Sequence, residues 1–258
     1  EAIERARAKN ITFVVAAAND GKNNDSYEVY PANSGNDNTI SVAAMNMADT
    51  KPTWSNYGKA KVHLSSPGDT IMSTLPGDKY GNLSGTSMAT PLVAGLVALV
   101  KAQDANLKPY EIRSLLQAAG VKIGIETACD CRVDAFNAVD IALSKKMFVH
   151  PFSGTFAPGT TVNFSGIYGK APLTFTSSNA SAATIDNSGV LTAVADGETQ
   201  ISVTDAEGKT ATSYKIYIAK SDGGGGGGGG GGGECPIGDP QLCEAMCQIM
   251  PSLPFCNK

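Results

Sequence analysis

Residues Met88 to Val100 constrain this chain most. They are thirteen consecutive uncharged residues, apolar or small apart from Thr90, set directly behind the loop "GNLSGTS". A bilayer core takes about 20 helical residues to cross, and Pro91 interrupts this shorter run. The segment therefore reads as a helix buried on all sides and not as a membrane span. Ala89, Ala94 and Gly95 keep it slim enough to lie inside a domain. Three hydroxyl residues, Ser84, Thr86 and Ser87, stand at its mouth, and an interior helix has no packing need for them there.

The surrounding residues supply layers for such a helix. "EAIERARAKN" has helical periodicity and starts with no cap, as though cut inside a helix. "ITFVVAAAN", "TISVAAM" and "AKVHLSSPG" read as strands, the first two apolar enough to be covered on both faces. "KPYEIRSLLQAAG" carries Pro109 at a first helical position and Gly120 as its stop, and "RVDAFNAVDIALSKK" is a further amphipathic helix. Continuous hydrophobic strands between helices predict an α/β fold with a mainly parallel sheet and helices on both faces over residues 1–147. Beyond Phe148 the pattern changes to short alternating runs between Gly, Asn and Asp turns, which predicts an all-β sandwich over 148–221. Eleven consecutive glycines, Gly223–Gly233, follow within a linker at 222–233. As a random coil they span roughly 18 Å, and composition does not distinguish a natural linker from an artificial filler.

Composition excludes several classes. The net charge of −4 comes with no basic patch beyond isolated pairs such as Lys145–Lys146, so nucleic acid is not an expected partner. At 42% hydrophobic and 17% charged, the chain is globular. Of six cysteines, Cys129 and Cys131 form a CDC pair and four crowd the segment 234–258. A clustered, even set predicts disulfides and an extracellular or cell-surface setting. Zinc fits the tail poorly, because no His is near and the spacings differ from paired CxxC motifs. Cys243 and Cys247 would share one face of a helix, but the pairing of the tail stays open, as does whether CDC bridges internally. No signal peptide is visible. A chain beginning at Glu1 rather than Met is expected to lack its natural beginning.

A serine at the first turn of a helix has a free backbone N–H in the positive end of the dipole, an arrangement suited to an oxyanion. The plain alternative is that Ser87 caps the helix. Asn19 bears on the choice, because it ends a buried strand and ligands of parallel sheets bind at strand carboxyl ends. "GTSMATPLVAGLVALV" resembles the nucleophile segment of the subtilisin-like serine proteases, or subtilases. "VVAAANDG", "YPANSGNDNTISVAAMN" and "WSNYGKAKVHLSSPGDTIMST" are similar to further segments of that family, in the family's order. The resemblance implies that Ser87 is the nucleophile and that the Asn19 side chain and the Ser87 N–H form the oxyanion hole. In a relative, removing one such side-chain donor costs roughly 10²–10³ in turnover. The family more often has Gly where Ala18 stands.

A serine nucleophile needs a base, and the base an orienting carboxylate. The family carries these in a D-[ST]-G strand end and an HGT-type helix start, and neither occurs here. The two histidines, His63 and His150, lie in a strand and at the domain junction, places that do not suit the base. The chain is thus expected to be the C-terminal part of a subtilase catalytic domain, inactive alone and partnered by a missing N-terminal half. Its implied substrate is a polypeptide. The resemblance places Asp20 beside the oxyanion hole, and Glu28, Val29 and Tyr30 near the pocket for the residue before the cleaved bond. Asp20 would then mildly favour a basic or polar side chain, unless it is only a solvated loop carboxylate. No cofactor is required. Structural calcium is an expectation for "DGKNNDSYE", whose carboxylates and amides suit it, although no spaced loop motif is present. "ATIDNSGVLTA" resembles bacterial Ig-like (group 2) repeats, which implies a spacer or adhesive module. The competing reading of the whole is a noncatalytic secreted adhesion protein on a degenerate protease scaffold. An intact GTSMA together with Asn19 argues against it.

Overall fold

A computed structural model describes residues 1–219. The glycine linker and the cysteine-rich tail expected from the sequence lie outside the described residues. The chain opens with helix α1 (Ala2–Ala8), strands β1 (Phe13–Ala16), β2 (Thr39–Met45) and β3 (Leu64–Pro67), and a hairpin of β4 (Ile71–Leu75) and β5 (Lys79–Leu83). Helices α2 (Thr86–Gln103) and α3 (Pro109–Ala119), short strands β6 (Val121–Lys122) and β7 (Cys131–Arg132), and helix α4 (Ala135–Ser144) complete the α/β part. Its sheet runs β1-β2-β3-β7-β6, parallel except for the last pair. Strand β2 is buried at every position, Thr39 and Ser41 included, so both its faces are covered.

Helix α2 packs on β1, β2 and β3 and against α4. It sets Val93, Leu96, Val97 and Val100 into the core at i, i+3, i+4 and i+7. The expectation that α2 is buried all round is corrected here. Pro91, Leu92, Gly95, Ala98 and Leu99 face solvent, with Leu92 46% and Leu99 54% exposed. Continuous hydrophobicity reports that a segment is suited to cover, not that cover is present within these residues. The β4–β5 hairpin is a further departure from the sequence expectation. Its turn holds Gly77 and Asp78 at positive φ (79° and 55°), the chemistry of a tight hairpin, but its mostly exposed strands carry no core pattern.

Gly120 does follow α3 as its stop, though not by a left-handed cap, since its φ is −65°. A Cβ there would meet the Arg132 carbonyl oxygen at 2.7 Å and Cys131 Sγ at 2.8 Å, so glycine is set by the close approach of β7. Cys129 and Cys131 are joined to each other, the internal bridge among the alternatives left open by the sequence.

From Phe148 the chain is all β: β8 (Phe148–His150), β9 (Gly154–Phe156), β10 (Thr161–Asn163), β11 (Ser165–Ile167), β12 (Thr174–Ser177), β13 (Ala183–Ile185) and β14 (Val190–Ala193). Strands β15 (Gly197–Thr199), β16 (Ile201–Thr204), β17 (Thr210–Thr212) and β18 (Ile216–Ile218) follow. They form small sheets, antiparallel but for the β18–β9 pair, around a core that includes Phe164, Leu191, Ile201, Val203 and Ile216. This unit is joined directly to the α/β part. Phe148 is buried in the α/β core, Tyr168 Oη donates to Asp104 Oδ2 (2.9 Å), and Tyr214 Oη donates to Asp130 Oδ2 (2.8 Å).

Candidate active site

Strand β1 ends at Ala16, and Asn19 stands three residues further on, just past Ala18. Ala18 has φ +89°, a conformation that costs a residue with Cβ and that glycine adopts freely. The turn brings the Asn19 side chain to the start of α2, where its Oδ1 accepts from Thr86 N and Thr86 Oγ1, both at 2.9 Å. With Oδ1 held by two donors, the Nδ2 amide of Asn19 is left as the group free to donate.

Ser87 is not the helix cap. The N-cap is Gly85, Thr86 is the first helical residue, and Ser87 is the second, with its side chain exposed. Its backbone N–H belongs to the first helical turn, which has no intrahelical acceptor, and makes no hydrogen bond among the described residues. Pro91, four residues on, has no N–H to give the Ser87 carbonyl. Gly68, just beyond β3, lets this corner close. Its carbonyl accepts from Gly85 N at 2.7 Å, and a Cβ on it would lie 2.7 Å from Ala44 Cβ and 2.8 Å from the Gly85 carbonyl oxygen. Two donors, Asn19 Nδ2 and the Ser87 N–H, thus stand at one helix start beside a solvent-facing hydroxyl.

The loop carrying Asn19 is held by residues to which the sequence alone assigns no role. Buried Asn56 accepts from the N–H groups of Asp20 (2.8 Å) and Lys22 (3.0 Å) through Oδ1, and donates to Asn24 Oδ1 (2.9 Å) through Nδ2. Buried Asn24 donates to the Ala17 carbonyl (3.0 Å), and Asn56 N donates to the Ala18 carbonyl (3.0 Å). The visible signal is the "WSN" stretch, which the sequence offers only as part of a resemblance.

The remaining expected residues make no side-chain hydrogen bond to Asn19 or the start of α2 among the described residues. Asp20 follows Asn19 directly and is exposed, its N–H turned to Asn56. Glu28, Val29 and Tyr30 make local contacts: Tyr30 Oη donates to Glu28 Oε2 (3.1 Å) and Val29 N donates to Asn33 Oδ1 (3.3 Å). None of the three hydrogen-bonds to Asn19 or the start of α2 among the described residues. In the loop expected to suit calcium, the Asp25 carboxylate accepts from the N–H groups of Lys59, Ala60 and Lys61 at 2.7–3.0 Å, which commits it to a neighbouring turn. His63 and His150 both lie elsewhere. His63 is held by Ser41 N and lies beside Arg113, and His150 bonds Ser114 and packs on the Tyr110 ring.

An exposed serine at the start of a core helix, beside an asparagine held by that helix, belongs to a serine protease-like scaffold. The subtilase family profile matches residues 1–136, and the chain belongs to the subtilase family. Residues 149–216 match the bacterial Ig-like domain (group 2). Alkaline elastase YaB from Bacillus sp. (strain YaB) is 34% identical over 127 residues, 49% of this chain and 32% of its own length. Subtilisin BL from Lederbergia lenta is 34% identical over 124 residues (48% and 44%), and subtilisin from Bacillus pumilus 35% over 123 residues (47% and 44%). This chain therefore spans less than half the length of these curated relatives. Among solved structures, a protease from Pseudoalteromonas arctica PAMC 21717 superposes with a TM-score of 0.49 at 31% identity, over 55% of this chain and 45% of that one. No helix among the described residues is long and apolar enough to cross a membrane.

Proposed function

We propose that this chain carries the nucleophile and oxyanion hole of a secreted serine endopeptidase acting on polypeptides, and that its base and orienting carboxylate come from a segment outside this sequence. The observation that carries the reading is the corner at α2, where Asn19 Oδ1 is fixed by Thr86 while Asn19 Nδ2 and the Ser87 N–H remain beside the exposed Ser87 hydroxyl. In that geometry Ser87 Oγ attacks the scissile carbonyl, and the two donors receive the oxyanion that forms. The proton of Ser87 needs an acceptor, and both histidines of the chain are engaged elsewhere. Two surfaces support an origin outside the sequence: the solvent-facing apolar side of α2, and strand β1, which pairs on one side only among the described residues. The Cys129–Cys131 bridge supports an extracytoplasmic setting.

The test is fluorophosphonate labelling, with the modified residue read by mass spectrometry. It uses this chain alone and this chain extended at its N-terminus by the preceding residues of its gene. Labelling at Ser87 in the extended protein, absent from the chain alone and from the extended Ser87→Ala variant, is the expected result. No labelling in the extended protein overturns the reading in favour of a noncatalytic surface protein.

A further inference from the structure

Between the α/β part and the Ig-like unit lies a cavity of about 620 Å³ whose charged lining is unevenly paired. Of its carboxylates, Asp37 accepts two hydrogen bonds from Arg7 (2.6 and 2.9 Å), and Glu111 accepts from Lys108 N (2.7 Å). Of its cations, neither Arg113 nor Lys61 forms an ion pair among the described residues. The Arg113 guanidinium meets one protein oxygen, the Thr39 carbonyl at 3.1 Å from Nη1, and the same Nη1 lies 3.3 Å from His63 Nε2.

That last contact joins two donors. His63 Nδ1 accepts from Ser41 N at 2.8 Å, so it carries a lone pair, and the imidazole proton is on Nε2. Nη1 of an arginine has only hydrogens to offer. Two N–H groups facing each other call for an acceptor that both can reach, and an anion answers best, because charge-assisted hydrogen bonds are the stronger kind. Burial, and then the nearby Arg113 charge, hold the His63 pKa well below its usual range, in keeping with a neutral ring. The Arg113 guanidinium feels the charge of Asp37, but that carboxylate is hydrogen-bonded to Arg7 and forms no ion pair with Arg113 among the described residues. The opposite wall, from the Ig-like unit, includes Phe156, Val162 and Phe164. A half-open cavity with apolar side chains on one wall and a few converging donors on the other has the make-up of a small-molecule site, and the volume falls in the usual range for one.

We propose that this cavity binds a small organic carboxylate, its head on Arg113 and the His63 Nε2–H and its apolar body against the Ig-like wall. The site is independent of Ser87, so the chain as it stands serves for the test. By isothermal titration, 3-phenylpropionate binds, and the neutral 3-phenylpropionamide binds at least about tenfold more weakly, the factor that separates a charged from a neutral acceptor. In ¹⁵N spectra the carboxylate shifts the His63 Nε2–H resonance and leaves residues around Ser87 unmoved. Arg113→Gln loses the discrimination between acid and amide, and Arg113→Lys keeps part of it. Equal affinity for acid and amide overturns the proposal, as does inorganic phosphate binding as tightly as the acid, or no binding of the acid at millimolar concentration. The acid–amide comparison and the spectrum need no variant, so the proposal stands or falls on them even where Arg113→Gln fails to fold.

Discussion

The two halves of this molecule handle hydrophobic sequence in opposite ways. In the Ig-like unit, apolar and polar residues alternate along strands such as β16, and the alternation matches what is inside and outside: β16 buries Ile201 and Val203 and turns Ser202 and Thr204 outward. Its core closes on itself. In the α/β unit, α2 is apolar on both sides and buries only one, so Leu92 and Leu99 face water, and the sheet ends at β1 among the described residues. An exposed apolar helix flank and a sheet end are both surfaces suited to receive more protein. The contrast teaches that closure is a property of pattern and partner together, and that only the first of these is written in a segment's own residues.

The comparison can be broken most forcefully at Phe148, which belongs to the α/β core although it starts the first Ig-like strand. Phe148→Ala is expected to destabilise the chain by about 3–5 kcal/mol, with near-UV signals of both units lost in one urea transition. Separate transitions, one of them unmoved, would mean that the units fold independently. A smaller effect comes from acid. Burial, and then the charge of Arg113, lower the His150 pKa to about 4. An unfolded imidazole titrates near 6.5, so as pH falls the unfolded chain takes up the proton first. Stability is full above about pH 6.5 and declines toward pH 4, by up to about 2 kcal/mol at pH 5 for this one group. Urea midpoints at pH 8 and pH 5 check it, and His150→Gln should flatten the difference in part, since the lowered pKa of buried His63 acts in the same direction. The smallest expected change is Leu99→Gln, within about 0.5 kcal/mol on this chain because the side chain is already in water. The same substitution should reduce Ser87 labelling in the extended protein if that flank is a docking face, and leave it unchanged if it is not.

Much of the molecule is legible in its sequence for physical reasons. Buried strands such as β2 announce themselves by unbroken β-branched and small residues, and α3 by Pro109 at its first position. The domain change near Phe148 appears as a change of period. The unread parts share a cause, dependence on contacts distant in sequence. Asn56 is one polar residue in a loop until Asn24 and the backbone at Asp20 and Lys22 gather around it. Gly120 looks like a helix stop, while its reason lies in β7. Ser87 is singled out by its place at the head of an apolar run. Its position one residue past the first helical residue, with Thr86 given to Asn19, emerges only when the turn at Ala18 is built.

One consequence of β8 concerns mechanics. Phe148 and Val149 are successive residues of a single strand, so they point to opposite faces, and they enter different cores, the first α/β and the second Ig-like. A load applied to the Ig-like unit would therefore pass through the single peptide bond between them into the interior of the α/β unit, with no slack chain to extend first. The two units should bear tension as one body, and the rupture of their shared strand, not the reeling out of a tether, should set the force at which they part.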